Sequence, residues 1–277
     1  MKLSLAISSC PNDTFMFDAL INKKIDIGQY EFSLKIADVE ELNKLSQNAE
    51  TDISKMSFHN FFKVADRYQM LTSGAALGKN CGPLIISKRK IYPDEINDCK
   101  IAIPGESTTA NLLMQIFFPK ASNKSTYLFS DIEELVLSDE CDAGLVIHET
   151  RFTYMQRGLR LIVDLGVMWE NEFNLPIPLG GIAIKRSLSE KVKSDINKIL
   201  RSSVEYAIAN PFSAMNFMKT HAVELQEEII MKHVGLYVND YSVDLGDDGK
   251  KAIKKLRVEY SKLNNIDTIK NDLFVQE

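Results

Sequence analysis

The 277-residue sequence lacks the features of a membrane or low-complexity protein. Its most apolar stretches are interrupted by Glu106, Pro119 and Pro176 well before the length that a membrane-spanning helix needs. Only 13 glycines and 8 prolines occur, which excludes a collagen-like or low-complexity chain. The first ten residues carry one lysine and too short an apolar run for a secretory signal peptide. We therefore expect a soluble cytoplasmic protein with no membrane partner.

The sequence also has few cysteines and no excess of positive charge. Cys10, Cys81, Cys99 and Cys141 lie far apart, with no histidine at metal-ligand spacing, which favours buried reduced thiols over a zinc site or a disulfide framework. The chain has 33 basic and 38 acidic residues, so its net charge of −5 repels nucleic acid. The basic residues at 250–257 have no interleaved aromatic residues, and we interpret them as a solvated helix face. We expect no bound metal and no nucleic-acid partner.

Sequence motifs for common cofactors are absent. No phosphate-binding GxxxxGK[ST], dinucleotide-binding GxGxxG, zinc-binding HExxH or serine-hydrolase GxSxG motif occurs. Functions that depend on a nucleotide, a flavin, zinc or a serine nucleophile therefore lose most of their support. The residues left to carry the chemistry are hydroxyl side chains and a histidine, which we expect to line a ligand cleft without a cofactor.

Short strand-like runs alternate with helical runs through most of the chain, which is typical of an α/β fold with largely parallel strands. Apolar alternation at 3–7 and 32–36 predicts the first two strands, and a later strand is predicted at 125–129. After Gly180-Gly181 the pattern becomes almost entirely helical, and Ser187 with Glu190 resembles the capping box of a helix start.

No flexible linker divides the chain, so we expect it to cross between two α/β lobes at strands, near 82–86 and 180–184. The prediction is a first lobe of residues 1–85 plus 183–277 and a second lobe of residues 86–182. Two such lobes form a cleft where strand ends and helix N-termini converge, which is a common place for a ligand.

Two predicted strand-to-helix turns carry polar side chains suited to binding an anion. The first is Ser9-Cys10-Pro11-Asn12-Asp13-Thr14-Phe15, and the second contains Ser107, Thr108 and Thr109. Helix starts present unsatisfied backbone N–H groups, and the hydroxyl and amide side chains add donors beside them. The same residue types are the ordinary helix caps, so a purely structural role stays open.

Three further segments are candidates for the site. His148 lies at the tip of an apolar strand, where a neutral imidazole can accept a proton near pH 7, although a lone histidine is more often structural. Glu149 and Arg151 are candidates to orient it, and neither is assigned. Lys55-Met56-Ser57 closes a short strand and offers donors. The two prolines and two glycines of 175–181 indicate either a ligand contact or a stiff crossover between lobes.

The order and spacing of four segments resemble the 1,4-dihydroxy-6-naphthoate synthases of the futalosine route to menaquinone. These segments are residues 9–15, residues 103–110, His148-Glu149 and residues 175–181, and the resemblance extends over about the whole chain. It implies an α/β, two-lobed fold of the periplasmic-binding-protein type 2 class, with a ligand cleft between the lobes. It also implies a lyase that acts on cyclic dehypoxanthinyl futalosine with no metal or organic cofactor.

The resemblance also assigns roles to residues. The family uses a histidine at a strand tip as proton acceptor, and the matching residue is His148. Its substrate contacts match the segment 55–57 and the hydroxyl residues 107–109, and the sequence does not decide which two of those three hydroxyls take part. Together with the polar turn after the first strand, the expected substrate-binding residues are Asn12, Asp13, Lys55, Met56, Ser57, Ser107, Thr108 and Thr109.

Two alternative functions stay open. One is chorismate dehydratase of the same pathway, which resembles this chain more distantly. The other is a non-catalytic cytoplasmic solute-binding protein that uses the same cleft. All three interpretations predict a small-molecule partner, which is an anion for the lyase, and the sequence predicts no oligomeric state.

Overall fold

The computed structural model describes residues 1–148, 150–222, 226–266 and 272–276. The strands are β1 (Lys2–Ser8), β2 (Glu31–Ala37), β3 (Ile53–Ser57), β4 (Tyr68–Met70), β5 (Ala76–Gly78), β6 (Leu84–Ser87), β7 (Ile101–Ile103), β8 (Lys124–Thr126), β9 (Ala143–Val146), β10 (Arg160–Asp164) and β11 (Ile177–Lys185).

The α-helices are α1 (Pro11–Ile21), α2 (Val39–Gln47), α3 (Phe58–Lys63), α4 (Thr109–Phe117), α5 (Ile132–Leu137), α6 (Thr150–Thr153), α7 (Leu165–Phe173), α8 (Glu190–Ala209), α9 (Met215–His221), α10 (Glu227–Tyr237), α11 (Asp240–Val243) and α12 (Gly246–Asn264). Among the described residues, no helix is both long enough and apolar enough to cross a lipid bilayer.

The strands form two mixed sheets. The first has the order β2-β1-β3-β11-β4, with β5 also paired to β11. In it β1 runs parallel to β2 and β3, whereas β11 is antiparallel to β3, β4 and β5. The second sheet has the order β10-β6-β9-β7-β8, in which β6 is antiparallel to both of its neighbours. The expectation of largely parallel strands is therefore wrong, because β6, β10 and β11 run against their neighbours.

The chain passes from the first sheet to the second between β5 and β6, and returns between α7 and β11. All of β6 lies in the second sheet and all of β11 in the first. The predicted lobe boundaries, after residue 85 and after residue 182, thus fall inside these two strands. The lobe division itself stays a prediction.

The structure places one open segment and corrects two local predictions. Residues 177–181, for which the sequence left a ligand contact or a crossover open, belong to β11; the pairing with β5 shifts register between Pro178 and Gly180, and an irregularity of this kind accommodates a residue without an N–H group. Helix α8 begins at Glu190 and is capped by Ser189, whose Oγ accepts from the Val192 N–H, so the capping box at Ser187 is wrong. The strand predicted at 125–129 ends at Thr126 and is followed by a 3₁₀ turn at Phe129–Asp131.

Apolar side chains of both sheets share one buried core. Tyr68 of the first sheet and Ile85 and Ile101 of the second belong to the same cluster of contacting buried residues. Trp169 of α7 is fully buried in this cluster, and its indole N–H donates to the Pro176 carbonyl at 3.1 Å. Helix α12 packs against α3, α4 and β11. The two sheets are thus packed together through this shared cluster.

Close backbone packing occurs where the chain enters the second sheet. A Cβ atom on Gly82 would lie 2.3 Å from both Cα and N of Gly166 at the start of α7. Real Cβ atoms do not approach backbone this closely, so glycine is required for the two segments to meet.

We predict that Gly82→Ala lowers the free energy of unfolding by about 1–3 kcal/mol, because the added methyl group displaces backbone. The matched control is Gly235→Ala in α10, where the new Cβ meets no atom within 4 Å. Alanine there should raise stability by about 0.5–1 kcal/mol, since it is the better helix former. Urea denaturation of both variants measures the difference, and equal stabilities would contradict the packing argument.

Candidate active site

Residues of the first sheet, together with residues that flank the strands of the second sheet, line a cavity whose empty space, counted with its opening to solvent, is about 660 Å³. Seven of the nine residues predicted from the sequence lie on its wall: Asn12, Lys55, Met56, Ser57, Thr108, Thr109 and His148. Asp13 and Ser107 are buried close behind it.

A buried ion pair forms one wall of the cavity. Lys55 Nζ lies 2.5 Å from Asp13 Oδ1, and the two side chains are 7% and 0% exposed. Asp13 also accepts hydrogen bonds from the Ser8 hydroxyl at 2.7 Å and from the Asn12 amide at 2.8 Å. A buried carboxylate needs such complete pairing. Asp13 therefore holds Lys55 in place from outside the cavity wall, and Lys55 itself lies on the wall.

The hydroxyl residues 107–109 divide into two groups. Ser107 Oγ accepts hydrogen bonds from Gln47 and Lys63 and does not line the cavity. Thr108 caps α4: its Oγ1 accepts from the Asn111 N–H and donates to the Gly105 carbonyl.

Thr109 uses its hydroxyl in the same way, because Oγ1 donates to the Leu179 carbonyl of β11 at 2.5 Å. Both threonine protons are thus engaged within the protein. The donors left for a ligand at this helix start are the backbone N–H groups of Thr109 and Ala110, because those of Asn111 and Leu112 donate to Thr108.

Ser57, at the end of β3, retains a proton that it can donate to a ligand. Its Oγ accepts from the Asn43 amide at 3.3 Å, and its backbone N–H donates to Asn43 Oδ1. Gly180 of β11 pairs directly with it. A Cβ on Gly180 would lie 2.9 Å from the Met56 carbonyl oxygen and 3.3 Å from Lys55 Cε, so glycine lets β11 approach Lys55.

His148 follows β9 with a φ of +60°, a left-handed conformation that is uncommon outside glycine and is found at functional sites. Cys10 Sγ lies 3.2 Å from its Nδ1, and the Phe129 ring meets it edge-on with centroids 4.7 Å apart. Withdrawal of the imidazole from bulk solvent lowers the pKa of His148 from 6.5 to about 4, with Asp13 raising it and Lys55 lowering it. The ring is therefore neutral at pH 7.

Of the two candidates to orient His148, Arg151 points elsewhere. Its guanidinium pairs with Asp164 at 2.6 Å and donates to the Gly82 carbonyl. Glu149 lies outside the described residues. The contacts that the structure does show for the ring are those of Cys10, Phe129 and His233.

Sequence reasoning missed His233 of α10, which also lines the cavity. Its ring centroid lies 6.2 Å from that of His148, and its Nε2 lies 3.0 Å from Asn12 Oδ1. Burial lowers the pKa of His233 well below 6.5, and His148 and Lys55 lower it further. The helical spacing of Ile230, Val234 and Tyr237 places His233 on a buried face, but nothing in the sequence shows that this face meets α1.

No metal site is evident among the residues that the structure describes, since no group of three His, Cys, Asp or Glu side chains is arranged to hold an ion. The side chains on the cavity wall are instead those that bind and deprotonate an organic anion: an ammonium group, a hydroxyl, a helix start and neutral imidazoles.

The two sheets and the cavity between them have the architecture of the two-lobed, periplasmic-binding-protein type 2 fold. The ligand-binding component of an ABC-type import system from Staphylococcus aureus superposes with a TM-score of 0.72 at 10% identity, covering 100% of this chain and 96% of that one. The alkanesulfonate-binding protein of Xanthomonas axonopodis gives 0.71 at 10% identity, covering 99% of this chain and 96% of that one. These neighbours confirm the predicted fold class.

Within that class, the family model described as menaquinone biosynthesis matches residues 3–262, and the chain belongs to this family. A Thermus thermophilus protein called 1,4-dihydroxy-6-naphthoate synthase is 37% identical over 257 residues, covering 93% of each chain. A Streptomyces coelicolor protein of the same name is 36% identical over 259 residues, covering 92% of this chain and 91% of that one.

A solved structure is similar over nearly the whole chain. The crystal structure of a protein from Archaeoglobus fulgidus matches with a TM-score of 0.90 at 34% identity, covering 95% of this chain and 98% of that one. The family model and the two named relatives confirm the predicted family and with it an enzyme of menaquinone biosynthesis, whereas the roles of individual side chains stay predictions.

We predict that Lys55→Met lowers the free energy of unfolding by about 3–5 kcal/mol, because Asp13 is left as an uncompensated buried charge. The control is Lys88→Met, which removes an exposed pair with Asp139 whose side chains are 46% and 71% exposed. Its loss should cost less than about 1 kcal/mol. Chemical denaturation of the two variants checks this, and similar losses would show that burial does not govern the Lys55 pair.

Proposed function

We propose that the chain is a lyase that converts cyclic dehypoxanthinyl futalosine into 1,4-dihydroxy-6-naphthoate, with His148 as general base. The observation that carries the proposal is that one cavity holds both a neutral imidazole and a buried ammonium group. The naming of relatives that match over more than nine tenths of the chain supports the same reaction.

The first requirement of this reaction is a place for the substrate's carboxylate. Lys55 supplies a positive charge, and Ser57 supplies a hydroxyl proton two residues along the chain. The N-terminus of α4 opens on the same cavity through Thr109 and Ala110, and the positive end of a helix attracts anions. These groups can hold the carboxylate and the ring that bears it.

The second requirement is a proton acceptor beside the reacting ring. The substrate carries a sugar remnant joined to the ring system by a carbon–carbon bond. A neutral His148 takes the proton of a hydroxyl group on this remnant, and the electron pair left on oxygen becomes a carbonyl bond of the departing remnant. The carbon–carbon bond breaks, and its electron pair joins the second ring as that ring becomes aromatic. Aromatisation supplies driving force, so the protein's contribution is positioning and general base catalysis, the latter worth about 10²- to 10⁴-fold.

We also propose that the protein works in the cytoplasm on a small anionic substrate. The buried free thiols of Cys81, Cys99 and Cys141 support this location, because reduced cysteines are usual in the cytosol. A solute sensor would need the same cavity but no base in it, so the position of His148 on the wall of the cavity that also holds Lys55 favours the enzyme over the sensor.

We predict that the purified protein converts cyclic dehypoxanthinyl futalosine into 1,4-dihydroxy-6-naphthoate, which is measured by the absorbance of the naphthoate. His148→Ala should lower kcat by about 10²- to 10⁴-fold. Substrate binding, measured by calorimetry, should be retained because the carboxylate contacts remain.

The matched control is His221→Ala, which removes a histidine of α9 outside the cavity and should leave kcat unchanged. Chorismate is tested in parallel. Turnover of chorismate alone would favour the dehydratase, binding without turnover would favour a sensor, and normal turnover by His148→Ala would remove His148 as the base.

We predict that kcat/KM stays level from pH 8 to about pH 5 and falls as the pH drops through about 4, because protonation of His148 removes the base. A carboxylate bound at Lys55 offsets the charge that lowers this pKa, so the acid limb of kcat should lie at higher pH than that of kcat/KM. Steady-state rates across the pH range measure both limbs. A kcat/KM limb near 6.5 would indicate a histidine exposed to water.

A further inference from the structure

His233 is a buried polar side chain on the cavity wall whose hydrogen bonding is incomplete. The residue is 0% exposed, and its Nε2 lies 3.0 Å from Asn12 Oδ1. Its other ring nitrogen, Nδ1, has no hydrogen-bond partner among the residues that the structure describes. Buried polar atoms are almost always paired, and an unpaired one destabilises the empty protein until a ligand satisfies it.

The neighbouring side chains decide which ring nitrogen carries the proton. Asn12 Nδ2 donates to Asp13 Oδ1 at 2.8 Å, and that oxygen is also paired with Lys55. Asn12 therefore turns its carbonyl oxygen toward His233, so Nε2 of His233 must be the protonated nitrogen that donates. It follows that Nδ1 carries a lone pair, which accepts a hydrogen bond and cannot give one.

The charge state of His233 restricts the ligand group further. Burial together with His148 and Lys55 lowers the pKa of His233 well below 6.5, so the ring is neutral. A neutral acceptor repels a carboxylate and attracts an O–H group. The carboxylate belongs instead with Lys55, and the substrate's sugar remnant supplies the hydroxyls.

The position of His233 beside His148 also favours a hydroxyl group as its ligand. The rings of His233 and His148 are stacked, with centroids 6.2 Å apart and planes inclined by 26°. A hydroxyl group bound to His233 is thus close to the proposed base, His148. In the proposed reaction, the bond to the sugar remnant breaks beside this base. We propose that Nδ1 of His233 accepts a hydrogen bond from a hydroxyl group of the substrate's sugar remnant and so selects substrates that carry it. This inference rests on the proposed function.

The test is His233→Gln, because the glutamine amide nitrogen reaches the position of Nε2 and keeps the bond to Asn12, while no acceptor replaces Nδ1. Calorimetry is done in the His148→Ala background, where turnover is slow. We expect the Kd of cyclic dehypoxanthinyl futalosine to rise about tenfold, the effect of losing one hydrogen bond. The Kd of 1,4-dihydroxy-6-naphthoate should change less than about twofold, since this product has lost the sugar remnant.

The complementary variant is His233→Asn, whose side-chain oxygen lies near the position of Nδ1 but does not reach Asn12. His233→Asn should lower Tm more than His233→Gln does, and the His233→Asn protein should bind substrate more tightly than the His233→Gln protein. In the His148→Ala protein with its native His233, the ¹⁵N signal of Nδ1 should shift when substrate is added, as expected for a nitrogen that gains a hydrogen bond.

An unchanged substrate Kd in His233→Gln overturns the inference. Equal weakening of substrate and product overturns the assignment to the sugar remnant. If the unsubstituted protein neither binds nor converts the substrate, the proposed function fails and this inference fails with it. If that protein turns the substrate over normally but His233→Gln binds it equally well, only this inference fails.

Discussion

The buried ion pair of Lys55 and Asp13 connects the elements that surround the cavity. Asp13 lies in the first turn of α1 and Lys55 in β3, next to β11. Two charges removed from water are tolerated only when every remaining lone pair is used, and Ser8 and Asn12 complete the set around Asp13. The pair orients Asn12, and Asn12 in turn sets the tautomer of His233.

The second constraint is that the cavity needs both sheets. Lys55 and Ser57 come from the first sheet, whereas His148 follows β9 of the second. The hydrogen bond from Thr109 to the Leu179 carbonyl joins the two sides directly. Because the sheets pack together around the cavity, the imidazoles are withdrawn from water. This keeps them neutral and lets the charge of Lys55 act over a short distance with little screening.

Part of this arrangement could be predicted from the sequence. The strand-to-helix turn at residues 9–15 and the helix start after Thr108 are local features, and both were predicted. The start of β11 could not be predicted, because a proline is rare inside a strand. Pro178 lies at the register shift beside β5, where a residue without an N–H group is tolerated. That the threonine hydroxyls bind the ligand stays a prediction, and the structure shows that their protons are donated to carbonyls of the protein.

The sequence by itself determined the alternation of strands and helices, the family, and the side chains able to bind an anion and accept a proton. These follow from periodicity and residue type over a few positions. The tertiary structure alone decided that Asp13 supports Lys55, that Ser107 lies behind the cavity wall, and that His233 meets Asn12 across 221 positions of sequence. Such contacts depend on how distant elements pack. The burial of each side chain and the residue that it contacts, rather than its residue type alone, then decide its charge and its hydrogen bonding.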